Sequence, residues 1–193
     1  MEKEVEIFEL IIDDTADSGV DFISLVDHPA IESNWMAFSK KLNFAIQDEE
    51  KRIVSGYFMK ADLPIYRVDD TGKEFYVVFR KDTIKDIVFK FMQNGYNANT
   101  NLMHDPRQIA EGVFVFESLL IDSERGIKAP DGFEDAPDGS WWGSMKVDND
   151  EVWELVKSGE FRGFSVEGMF KQSKGVTADQ EKIERIKDIL RDL

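Results

Sequence analysis

The chain has no cysteine and only two histidines, His28 and His104, among its 193 residues. Disulfide frameworks, zinc ribbons and thiol nucleophiles are therefore excluded, and a multi-histidine metal site has too few ligands. Basic residues are scarce as well. Against 39 Asp and Glu stand 24 Lys and Arg, for a formal charge of −15. Nucleic-acid binding through counterion release needs clustered cations that this balance does not supply, and an anionic membrane surface is disfavoured for the same reason. Long apolar runs are missing too, none approaching the roughly 18 residues of a membrane span. The opening Met1-Glu2-Lys3-Glu4 is acidic and alternating, unlike the basic and then apolar start of a signal peptide. A cytoplasm-like compartment is the expectation. What the chain does have is 15 Phe and four Trp in a composition that is 42% hydrophobic. That suffices for the core of one domain.

Period-two alternation and turn residues mark the strands. Val5 to Ile12 and Val20 to Val26 read as two, with a turn at Asp13 to Gly19 and a break at Pro29. Asn43 to Met59 holds two more around the acidic turn Asp48-Glu49-Glu50, and Pro64 to Val68 with Glu74 to Phe79 flank the hairpin signature Asp69-Asp70-Thr71-Gly72. Asp82 is positioned to cap a helix with Ile84, Ile87, Val88, Phe91 and Met92 on one face. Asp148 is placed to cap a second, with Val152, Trp153 and Val156 inward and Gly159 at its end. Strand patterns return at Gly112 to Asp122, Trp141 to Val147 and Phe161 to Phe170, and Ser123 to Ser140 reads as a long surface loop, acidic at Asp131 to Asp138. Thr177 to Leu193 carries a capping-box pattern and a narrow apolar stripe, as in a helix that seats on a partner or on its own domain. The expected class is α+β: a barrel or mixed antiparallel sheet with peripheral helices, the domain running over 1–172 and the appended helix over 173–193.

Two residues stand out chemically. His104 lies in Asn101-Leu102-Met103-His104-Asp105-Pro106, just before a strand. A lone histidine is more often a hydrogen-bonded structural residue than a catalyst. Ser165 lies in Arg162-Gly163-Phe164-Ser165-Val166-Glu167-Gly168, a small polar side chain inside a strand between two glycines that permit close backbone approach. A serine nucleophile requires a base within hydrogen-bond reach and amide donors for the oxyanion. Trp141, Trp142 and Trp153 fit core packing better than a substrate platform.

Four segments in order resemble the XkdF-like branch of phage prohead maturation proteases, relatives of the herpesvirus assemblin fold. They are Ile23-Ser24-Leu25-Val26-Asp27-His28-Pro29-Ala30-Ile31-Glu32, Asn101-Leu102-Met103-His104-Asp105, Met145-Lys146-Val147-Asp148-Asn149-Asp150-Glu151-Val152-Trp153, and Lys157-Ser158-Gly159-Glu160-Phe161 leading into the serine segment. The resemblance covers about Glu6 to Phe170. It implies an assemblin-like β-barrel and a serine endopeptidase that trims scaffold and major capsid protein, and itself, inside the immature head in the host cytoplasm. Neither a metal nor an organic cofactor is implied, and relatives of this kind work as dimers. Carried over, Ser165 is the nucleophile and His104 the general base. The group that orients His104 is left among Glu117, which is preferred, Asp122, Asp105 and His28. Arg162 and the amides around Gly163 are candidates for the oxyanion hole.

A capsid-associated structural or scaffold protein on the same fold, without catalysis, is the competing reading. A general hydrolase is disfavoured because Gly163-Phe164-Ser165-Val166-Glu167 departs from Gly-x-Ser-x-Gly at its last position.

Overall fold

The computed structural model describes residues 6–15, 17–27 and 44–174. His28 and the expected helix over Thr177 to Leu193 lie outside them. Strand alternation dominates the architecture. Twelve strands among the described residues form three four-stranded sheets, accompanied by two α-helices. The α+β class holds, but among the described residues no sheet closes on itself, and three separate sheets stand where a barrel was expected.

The first sheet is ordered β12 (Lys171–Lys174), β1 (Glu6–Ile11), β6 (Glu74–Val78), β5 (Ile65–Val68), with β1 and β6 parallel. β12 pairs with β1 through Phe8 opposite Lys174, so the folded unit continues past residue 172. The second is fully antiparallel: β3 (Phe44–Asp48), β4 (Ile53–Met59), β10 (Trp141–Val147), β9 (Val113–Leu120). The third is ordered β11 (Gly163–Met169), β2 (Gly19–Val26), β7 (Thr100–Leu102), β8 (Asp105–Ile109), with β2 and β7 parallel. Its end strand β8 carries Pro106, which has no amide hydrogen to offer a further strand.

Helix α1 (Lys81–Gln93) buries Ile84, Ile87, Val88 and Phe91, while Met92, expected on that face, is exposed. Its N-cap is Arg80, without a side-chain cap, and Asp82 instead pairs with Lys85 one turn along. Helix α2 (Asp150–Lys157) is capped by Asn149, whose side chain accepts from the Val152 amide at 3.0 Å, rather than by Asp148. The core lies where the sheets meet. Phe58 makes edge-on ring contacts with Trp141 at 5.0 Å and Phe164 at 4.9 Å, and Trp141 meets Phe91 at 5.2 Å. All three tryptophans considered above are buried in it or in its satellite. The loop after β9 is not merely solvated. It drops Phe133, 2% exposed, into a second apolar cluster with Tyr57, Ile121 and Trp142.

Candidate active site

Strand β11 alternates with period two, which puts Phe164 and Val166 toward the core and Ser165 and Glu167 on the opposite face. Ser165 is directly opposite Ser24 of β2, and Ser24 is in register with Asn101 of β7. Three polar residues thus form a row across three neighbouring strands. A β-bulge falls between Glu167 and Gly168. A Cβ at Gly168 would sit 1.8 Å from the Gly19 carbonyl oxygen, so the backbone approach that forms the bulge requires glycine.

His104 reaches this row from the β7–β8 hairpin. Leu102 pairs with Asp105, leaving Met103 and His104 as a two-residue loop with φ of 54° and 59°. Both central residues in the left-handed region is the arrangement of a type I′ turn, which ordinarily selects Asn and Gly. Neither residue here is glycine, so the turn stores strain while it points the imidazole back over the sheet. His104 remains 44% exposed at its side chain.

The network closes on one carboxylate oxygen. Glu167 Oε1 lies 3.1 Å from His104 Nδ1, accepts from Asn101 Nδ2 at 2.6 Å, and accepts from Ser24 Oγ at 2.5 Å. The single proton of Ser24 is shared with Asn101 Oδ1 at 2.7 Å, and Ser24 Oγ is also 3.2 Å from His104 Nδ1. Burial pushes the Glu167 pKa up, but the hydrogen bonds from Ser24, Asn101 and His104 outweigh it and hold the carboxyl below its ordinary range. An ionised Glu167 makes Nδ1 the protonated nitrogen of a neutral imidazole and leaves Nε2 with the free lone pair.

Ser24 is completely buried, whereas Ser165 is 7% exposed and lines an open cleft together with His104, Glu167 and Arg67 of β5. The Ser165 hydroxyl makes no hydrogen bond among the described residues, His104 included. Of the two serines, Ser165 borders the open cleft, whereas the Ser24 hydroxyl is engaged by Glu167 and Asn101.

The structure thus gathers Ser165 and His104 along one cleft and brings neither Glu117, Asp122 nor Asp105 to the imidazole. Glu117 sits on β9, which leaves the His104 hairpin for the second sheet. There Glu117 Oε2 accepts from Ser144 Oγ at 2.5 Å, and Ser144 meets Ser55 at 2.8 Å. Asp122 accepts from the Arg125 amide at 3.1 Å. Asp105 is held by Arg107 at 2.9 and 3.0 Å, which lowers its pKa to about 2. Arg162 donates to the Gly159 carbonyl at the end of α2. Glu167, Ser24, Asn101 and Arg67 were not expected at the site. The signal for Glu167 was present in the spacing, since a residue two along a strand shares the face of Ser165.

The model of the family described as "Putative phage serine protease XkdF" matches residues 41–174. The chain belongs to that family. No curated protein and no solved structure matches it significantly.

Proposed function

We propose that the chain is a serine endopeptidase of phage head maturation, with Ser165 as nucleophile, His104 as general base and Glu167 as the residue that positions His104. The observation that carries this reading is the position of Ser165. It is reachable on a strand whose next same-face residue, Glu167, engages His104 Nδ1 at 3.1 Å. The Ser165–His104 hydrogen bond forms as substrate fills the cleft, a tightening common in hydrolases. Ser165 Oγ then bonds to the scissile carbonyl carbon while its proton passes to Nε2 of His104. Collapse breaks the C–N bond as His104 returns that proton to the leaving amine, and water attacks the acyl-enzyme by the same route. Glu167 stays ionised throughout and stabilises the imidazolium.

The substrates in this reading are the scaffold and major capsid proteins, and the chain itself, within the immature head in the host cytoplasm. The protein acts as a homodimer, on an assemblin-like plan. Co-expression with the scaffold and capsid proteins of the same phage tests it by intact mass. Fragments present with the wild type and absent with Ser165→Ala and His104→Ala are expected. Identical masses from all three in normally assembled heads would instead describe a structural head component.

A further inference from the structure

The cleft at Ser165 opens beside a cavity of about 190 Å³ for which the reaction steps above have no use. Its walls are apolar where the three sheets meet: Phe58 and Met59 from β4, Ile65 from β5, Phe79 after β6, and Phe164 and Phe170 around β11. Ser165 forms part of the same wall. An apolar hole of about 150 Å³ holds a benzene-sized group and gives water few partners, so this one has room for a leucine, methionine or phenylalanine side chain.

Two cations border it, and they differ. Lys60 is already paired with Asp135 at 3.0 Å and lies 4.7 Å from the centre of the Tyr57 ring. Arg67 lines both the cavity and the cleft. Its Nη1 donates to the Tyr66 carbonyl at 3.0 Å, and it has no carboxylate partner among the described residues. Arg67 is exposed at the cleft, where a carboxylate carried by a ligand can take its guanidinium in a bidentate, charge-assisted hydrogen bond.

We infer that this cavity is the specificity pocket of the protease. It takes a bulky apolar side chain next to the scissile bond, and Arg67 binds the carboxylate of an acidic residue flanking it. The inference rests on the endopeptidase reading and names its substrate class. The site is continuous with the nucleophile, so the occupant is a residue of the peptide being cut.

The test is digestion of a bacterial-proteome peptide library by the full chain, with cut sites read by mass spectrometry and Ser165→Ala as the blank. One position beside the cut is expected to favour Leu, Met and Phe over Ala and Gly by about tenfold or more, with Asp or Glu enriched next to it. Ile65→Trp, filling the cavity, moves the preference toward Ala and Gly. Ile65→Ala, enlarging it, moves the preference toward Phe and Trp. Both are ratios within one digest and do not depend on how much variant folds. Arg67→Ala removes the acidic enrichment; enrichment that survives it overturns the role of Arg67. Ser165-dependent cutting without apolar preference, or with a preference both Ile65 variants leave unmoved, overturns the pocket and leaves the protease standing. No Ser165-dependent cutting of any peptide overturns both.

Discussion

Glu167 concentrates the site's electrostatics in one oxygen. Three donors converge on Oε1, and their combined effect outweighs the burial that would otherwise keep the carboxyl neutral. A depressed folded-state pKa means that the ionised carboxylate contributes stability above its ordinary, unfolded pKa, near 4.5. That contribution is lost as pH falls through the folded value. Glu167→Gln should therefore flatten the acid limb of the melting temperature against pH below about pH 4.5. In peptide hydrolysis the same substitution should lower kcat by about 10²–10⁴-fold, because an amide can accept from Nδ1 but cannot stabilise the imidazolium. A variant that keeps wild-type kcat would remove Glu167 from the catalytic group. Ser24 and Asn101 act on this oxygen from the buried side, so the carboxylate arrives at His104 already oriented and already charged.

At the scale of elements, the site depends on two departures from regular strand. The Met103–His104 turn holds two non-glycine residues at positive φ, each at a cost of about 1–3 kcal/mol. Met103→Gly should raise stability by roughly 1 kcal/mol in urea unfolding while loosening His104 and reducing activity. Higher activity together with higher stability would contradict the role given to the strained turn. The bulge at Glu167–Gly168 is the second departure. Gly168→Ala drives a methyl group into the Gly19 carbonyl and should cost about 1–3 kcal/mol or more, with activity lost beyond what unfolding explains. Much at this scale was legible beforehand. Alternation and turn residues marked nine of the twelve strands, because each strand buries one face and each turn needs its own backbone conformation, while β7, β8 and β12 went unread. The helix caps were misplaced by one or two residues, since several neighbouring polar residues compete for those positions and only geometry decides among them. Glu117 is the first sequence candidate because it lies on the strand following His104, and Glu167 is not among the alternatives Asp122, Asp105 and His28. Chain order does not disclose that β9 departs for another sheet, whereas the two-residue spacing of Ser165 and Glu167 holds wherever β11 goes.

Across the whole molecule, the polar row of Ser165, Ser24 and Asn101 and the second apolar cluster are separate features. Phe133 anchors the Ser123 to Ser140 loop against Tyr57 and Trp142, in contact with neither His104 nor Glu167. Phe133→Ala should destabilise the protein by about 3–5 kcal/mol. Its kcat per folded molecule should stay close to wild type; a collapse in kcat with the fold intact would tie the loop to the chemistry. The three-sheet arrangement explains why the cleft exists. β11 and β5 each end a sheet, and Ser165 and Arg67 line the gap between them. That gap was invisible in the sequence, because pairing between distant strands is set by the assembled core and not by any local pattern.

In this reading Ser165 is a nucleophile activated by His104 held on Glu167. The most direct test is intact-mass analysis after treatment with a fluorophosphonate, a reagent that modifies activated serines without any knowledge of the natural substrate. A single adduct mapped to Ser165 is expected, absent in His104→Ala and formed far more slowly in Glu167→Gln. An adduct on another serine, or one that forms on Ser165 equally fast without His104, or no adduct on the folded wild-type protein, would contradict that reading.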